Sequence, residues 1–185
     1  MQTLGVISDT HVPDKALALN PRALEIFRDA HVGAILHAGD ISTPGVLKVL
    51  GKIAPVYAVK GNRDWLSMGH LPRERVLAFG DVTVGLAHGH GGFWRYFVGK
   101  ARYLRYGYRL DDFLPQFIHH FKQMDVIVFG HSHRPVNEYR QGKLLFNPGA
   151  ACCFEKLEKV YAPHVGLLYL DGNTARGELF PLEAK

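Results

Sequence analysis

The stretch VFGHSHRP, residues 128–135, runs a short apolar segment straight into two histidines separated by one serine. Successive side chains of an extended chain point to opposite faces, so His131 and His133, at i and i+2, are expected to project together. Paired imidazoles at a strand end are how a metal site or an anion clamp begins. The pattern recurs along the chain. TLGVISD, GAILHAGD, VYAVKGN, RVLAFG, VTVGLAHG and DVIVFGHS are strand-like runs, followed by KLLFNPG and HVGLLYLDG, with segments of helical period between several of them. That alternation predicts an α/β sandwich rather than an all-helical or all-β domain.

The helix signals lie between the runs. Asn20 before Pro21 and Thr43 before Pro44 each place a capping side chain ahead of a proline suited to the first helical position, predicting helices that run to about Ala30 and Gly51. Asp111 or Asp112 can cap a third helix reaching about Lys122. Beyond residue 134 the polar turns YRQGK and LDGNT predict hairpins. With 185 residues, 47% hydrophobic, and no repeat or linker, the chain is expected to form one domain over 1–185.

Charge and cysteines bound the function without naming it. Lys and Arg number 22 against 17 Asp and Glu, a net charge of +5 that favours anionic partners mildly and does not identify a nucleic-acid binder. Cys152 and Cys153 are neighbours, which rarely close a disulfide, and they fit a reducing compartment as small buried side chains. The opening LGVIS lacks the pattern of a secretory signal, and no run approaches the roughly 18 apolar residues of a membrane span. A cytoplasmic protein is the expectation.

The chemistry sits where the strands end. The first run ends in SDTH with Asp9 and His11, the second in HAGD with Asp40, the third in GNRD with Asn62, the fifth in AHGH with His88 and His90, and the sixth in GHSH. Any one of these clusters is weak by itself. Together they follow five β-like runs, and the carboxyl ends of strands in an α/β sheet line one crevice. Carboxylate, imidazole and amide oxygen suit divalent transition metals. His37, three residues before Asp40, reads as a satisfied strand histidine.

The ordered series D-x-H, GD, GN, HG and GHxH over residues 9–133 resembles the calcineurin-like metallophosphoesterase superfamily, and FNPGA at 146–150 is similar to a segment of its small bacterial and archaeal phosphodiesterase branch, to which the retromer subunit is also related. The resemblance implies a four-layer α/β/β/α sandwich with two divalent metals. By motif, Asp9, His11 and His133 would hold the first, Asn62, His88 and His131 the second, and Asp40 would bridge them. Manganese is the expected metal, with nickel, iron, zinc and magnesium as other options. Two cations roughly 3.5–4 Å apart can bind the attacking and departing oxygens of a displacement at phosphorus and ionise a bridging water. The expected activity is therefore hydrolysis of a phosphate ester, most naturally a phosphodiester such as a nucleotide, by a metal-bridging hydroxide. The alternatives are a noncatalytic metal-binding scaffold and a nucleic-acid-binding protein; association of copies is compatible with either.

Two departures bear on mechanism. Many members of the superfamily carry histidine after the GN asparagine, where this chain has Arg63. Arginine stays protonated and cannot serve as an acid, but it can brace phosphate oxygens; the competing reading pairs it with Asp64 at the surface. His90 is a second catalytic candidate, able to orient His88 or approach substrate. The interval from His88 to His131 also contains a basic aromatic segment. Residues 93–110 hold Arg95, Lys100, Arg102, Arg105 and Arg109 and no acid, so this segment equals the net charge of the whole chain. A helical segment is expected over about 93–122, as a packed helix with a solvated basic face, a substrate-facing cap, or a contact with another copy or a membrane surface.

Overall fold

A computed structural model describes residues 1–89, 118–152 and 162–182. The expectations for His90, Cys153, the segment 93–110 and most of the helix ending at Lys122 lie outside these residues. Among these residues ten strands form two sheets. The first sheet runs β10-β9-β1-β2-β3, from β1 (Gln2–Ile7), β2 (Ala34–His37), β3 (Val56–Ala58), β9 (His164–Asp171) and β10 (Thr174–Pro181). The second runs β4-β5-β6-β8-β7, from β4 (Glu74–Phe79), β5 (Val82–Ala87), β6 (Val126–Val128), β7 (Val136–Arg140) and β8 (Lys143–Asn147). β1, β2 and β3 are parallel, as are β5, β6 and β8, while β9–β10, β4–β5 and β7–β8 pair antiparallel as hairpins.

The continuous apolar runs follow from strands buried on both faces. Leu4 and Val6 of β1, Leu36 of β2, Val84 and Leu86 of β5, Val126 and Val128 of β6 and Phe146 of β8 fill the space between the sheets. Their sequence neighbours point the other way. Ile7 and Ile35 pack with Ala23, Ile26 and Phe27 of α1 (Pro21–Asp29) and Val46 and Leu50 of α2 (Pro44–Leu50). On the far face of the second sheet, Ile127 and Leu145 meet Phe121 and Phe129. The arrangement is that of the expected sandwich, in the α/β class.

The starts of α1 and α2 were correctly signalled, with one difference in detail. Asn20 caps α1 by accepting from the Arg22 N–H at 2.9 Å, whereas Thr43 makes no side-chain capping bond to α2. The strands that matter most are shorter than their apolar runs suggest. β3 stops at Ala58 and β6 at Val128, so Asn62, His131 and His133 stand on loops beyond the strand ends.

Candidate metal centre

The parallel strands deliver their C-terminal loops to one edge of the sandwich. Asp9 and His11 follow β1, Asp40 follows β2, Asn62 follows β3, His88 follows β5, and His131 and His133 follow β6. Backbone bonds tie neighbouring loops together within each sheet: Asp9 N–H donates to Gly39 O at 3.0 Å, His11 N–H to Asp40 O at 3.1 Å, and Gly130 N–H to His88 O at 3.2 Å. The side chains then form a continuous line of donors. Nε2 of His133 lies 3.2 Å from Oδ1 of Asp9, and Nε2 of His11 lies 3.8 Å from both Asp9 Oδ1 and Asp40 Oδ2. The other oxygen of Asp40 is 3.4 Å from Nε2 of His88. Asn62 Oδ1 completes the line, 3.1 Å from both His88 Nε2 and His131 Nδ1.

All seven sequence candidates are thus in one cluster, but not by the geometry of an extended strand. His131 and His133 have φ of 66° and 57°, so the alternation argument fails and the two rings diverge, His131 to Asn62 and His133 to Asp9. Asp9, His11 and Asp40 share this left-handed backbone, with φ of 52°, 46° and 54°. Asp and His tolerate the region better than most side chains, yet each such residue costs on the order of 1 kcal/mol and persists only where its surroundings hold it. Glycines make the close approach possible. A Cβ on Gly61 would strike the Asp40 carboxylate, and one on Gly130 would strike Ser8 Oγ and come within 2.8 Å of Asp9 Oδ2.

The electrostatics suit cation binding. Burial alone would raise the Asp9 carboxyl, but His133, His88 and His11 outweigh it and hold Asp9 far below the usual carboxylate range. Asp40 is likewise lowered despite burial, by His88 and the Arg63 N–H, which donates to its Oδ1 at 2.9 Å. Burial lowers His88, but the charge and hydrogen bond of Asp40, together with Asp9, raise it to about 9. Its Nδ1 faces Ala38 O at 2.7 Å, leaving Nε2 turned toward Asp40 and Asn62. His11 is lowered chiefly by burial. Asp9 Oδ1 is buried and completes no hydrogen bond among the described residues. Two ionised, desolvated carboxylates surrounded by four imidazoles and an amide oxygen are a donor set for divalent metal, and Asp9, His11 and His133 offer atoms within 4.8 Å of one another, as do Asp9, Asp40 and His88.

Several further residues support the cluster through contacts that only the fold brings about. Asp64 does not pair with the Arg63 side chain. It is buried, and its carboxylate accepts from the N–H groups of Ile41 at 2.9 Å, Ser42 at 2.8 Å and Gly61 at 2.7 Å, clamping the Asp40 loop to the Asn62 loop. Arg63 instead reaches Asp14, with Nη1 4.0 Å from Oδ2 and both side chains nearly half exposed. Ser8 Oγ donates to Asp9 Oδ2 at 2.5 Å and His131 N–H to the same oxygen at 3.1 Å. Asn147, from the FNPGA segment, donates to Gly130 O and Ser132 Oγ, both at 3.0 Å, fixing the turn that carries His131 and His133. Cys152 is buried with its thiol on Asp9 O at 3.2 Å. His37 is satisfied as expected: Nδ1 accepts from Gly39 N–H at 3.2 Å, Nε2 is 3.3 Å from Thr10 Oγ1, and burial lowers it to about 3, so it stays neutral.

The sequence profile of the Calcineurin-like phosphoesterase superfamily domain matches residues 2–169. The chain belongs to that superfamily. A probable metallophosphoesterase of Methanothermobacter thermautotrophicus is 34% identical over 177 residues, 95% of this chain and 90% of that protein. A phosphodiesterase of Methanocaldococcus jannaschii is 26% identical over 164 residues, 80% of this chain and 84% of that protein. In fold, the chain is similar to a single-residue variant of Vps29 from Entamoeba histolytica, with a TM-score of 0.72 and 23% identity, covering 98% of this chain and 100% of that one. Among the described residues no helix is long and apolar enough to cross a membrane.

Proposed function

We propose that this metallophosphoesterase is a phosphodiesterase working with two divalent cations, manganese foremost, held by the seven-residue cluster. The carrying observation is the Asp40 carboxylate, which turns one oxygen toward His88 and the other toward His11. Such a residue divides the cluster into two halves that share it: Asp9, His11 and His133 on one side, Asn62, His88 and His131 on the other. When bound, the cations would supply Lewis acidity toward phosphoryl oxygens and water ionised near neutral pH. The chain's own residues fix where this happens. Ser8 and the His131 N–H hold one oxygen of Asp9, Ala38 O sets the His88 ring, and Asp64 fixes the spacing of the loops that carry Asp40 and Asn62. A noncatalytic scaffold has no need of a complete donor set, which favours catalysis.

The test is to strip the protein of metal and add manganese, magnesium, nickel and zinc separately, against phosphomonoesters, phosphodiesters and cyclic nucleotides. Manganese should restore the most activity, on an activated aryl phosphodiester, with two ions bound per chain. Absence of stimulation by any divalent ion would overturn the reading.

Arg63 has a separate role in this proposal. Its side chain is loosely held by Asp14, so the guanidinium can turn to a phosphate oxygen, while its N–H stays on Asp40 in any non-proline variant. Arg63→Ala is expected to cost roughly 2–4 kcal/mol of transition-state stabilisation, the scale of one preorganised donor. Because arginine does not deliver a proton, the loss should be similar for good and poor leaving groups. A steep new dependence on leaving-group pKa would assign Arg63 to departure instead.

A further inference from the structure

Three exposed apolar side chains lie on the metal-centre loops. Leu17, Trp65 and Leu66, exposed by 96%, 59% and 102%, lie on the loops that follow β1 and β3 and carry His11 and Asn62. Those two loops meet at the Asp14–Arg63 pair, and Asp14 also accepts from Ser42 Oγ at 3.2 Å. Leu17 stands three residues beyond Asp14, and Leu66 three beyond Arg63. Trp65 is nearer still. It is three residues from Asn62, so its Cα lies at most about 11 Å from that of the candidate ligand by chain reach alone.

The loop presenting Trp65 is anchored on both sides of it. Asp64 is buried on three backbone amides, Met68 is buried and donates from its N–H to Asp64 O at 2.9 Å, and Lys60 closes the far side through Nζ to Gly69 O at 3.0 Å and N–H to Pro72 O at 2.9 Å. A loop held this way loses little backbone freedom when a ligand covers its indole. Its flat face offers stacking to any planar ring, largely independent of hydrogen-bond pattern.

We infer that Trp65 is a specificity residue that stacks on a planar aromatic ester arm, of the nucleobase kind, in a phosphodiester whose phosphate lies at the metal cluster with Arg63 between. An alkyl arm would be served by Leu17 and Leu66, which stand farther along their loops, and would gain nothing particular from the ring. The inference rests on the phosphodiesterase reading. In the reaction tested, a water oxygen bonds to phosphorus, the bond from phosphorus to the nitrophenyl oxygen breaks, and nitrophenolate leaves with the arm retained as its phosphomonoester.

The experiment holds the leaving group constant and varies the arm, using p-nitrophenyl diesters of methanol, octanol and the thymidine 5′-hydroxyl with manganese-loaded protein. Wild type should prefer the thymidine arm to methyl, and Trp65→Ala should lower that ratio of kcat/KM about tenfold, the scale of one lost base–aromatic stack. Trp65→Phe should retain most of it. An unchanged thymidine-to-methyl ratio in Trp65→Ala overturns the inference, as does a fall confined to the octyl ester. Should wild type hydrolyse none of the three, the phosphodiesterase reading fails. Calorimetric binding of thymidine 5′-monophosphate then still decides the stack: about tenfold weaker binding by Trp65→Ala supports it, and equal binding overturns it.

Discussion

Asp40→Ala is expected to abolish hydrolysis of an activated aryl phosphodiester and to remove at least one of two bound manganese ions, while the far-ultraviolet circular dichroism stays that of the wild type. The effect should exceed the roughly 10²–10³-fold loss typical of removing one preorganised donor, because Asp40 stands between both halves of the cluster. One carboxylate oxygen lies toward His88 and the other toward His11, so alanine deprives each side at once. The fold should survive. The lost hydrogen bond from the Arg63 N–H is worth about 1 kcal/mol, and the β2 core residues Ile35 and Leu36 are untouched. Metal content by mass spectrometry and kcat/KM on the same sample check it, and wild-type values of both would end the two-cation proposal.

Asp64→Ala should destabilise the fold strongly although it touches no candidate ligand. It strands the N–H groups of Ile41, Ser42 and Gly61, at about 1–3 kcal/mol for each buried donor left without a partner. Some rescue by water is expected at Ser42, which is only partly buried, so a total of roughly 3–5 kcal/mol and a fall of about 10 °C in the thermal midpoint follow. Manganese affinity should weaken about 10–100-fold as the loops of Asp40 and Asn62 lose their common anchor. Asp64→Asn is the informative companion. It keeps an oxygen for Ile41 and Ser42 but turns an amide N–H toward that of Gly61, so its loss should be intermediate. Thermal melts and metal titrations on both variants check this, and an unchanged midpoint in Asp64→Ala would show that the clamp contributes nothing.

The two predictions differ in how far each residue could be read before the fold was known. Asp40 was legible because GD follows an apolar run, in order with D-x-H, GN, HG and GHxH, and a carboxylate is the group able to face two cations. Asp64 was visible as the last letter of GNRD, but its acceptors' partners, Ile41 and Ser42, are more than 20 residues away, and pairing it with adjacent Arg63 was the simpler local reading. Arg63 found Asp14 instead, 49 positions earlier in the chain. His131 and His133 show the reverse error: they do join the cluster, but were argued from an extended backbone that they do not adopt.

What the sequence determined alone was the α/β class, the strand-end placement of the seven donors and the family, since periodic burial and the ordering of polar clusters are written residue by residue along the chain. Tertiary structure alone decided which donors meet. Left-handed backbone at Asp9, His11, Asp40, His131 and His133 has no strong local preference behind it and is sustained by bonds between loops distant in sequence. The same long-range bonds chose which loops stand beside one another, and so brought the loop of Leu17 against the loop of Trp65 at the Asp14–Arg63 pair.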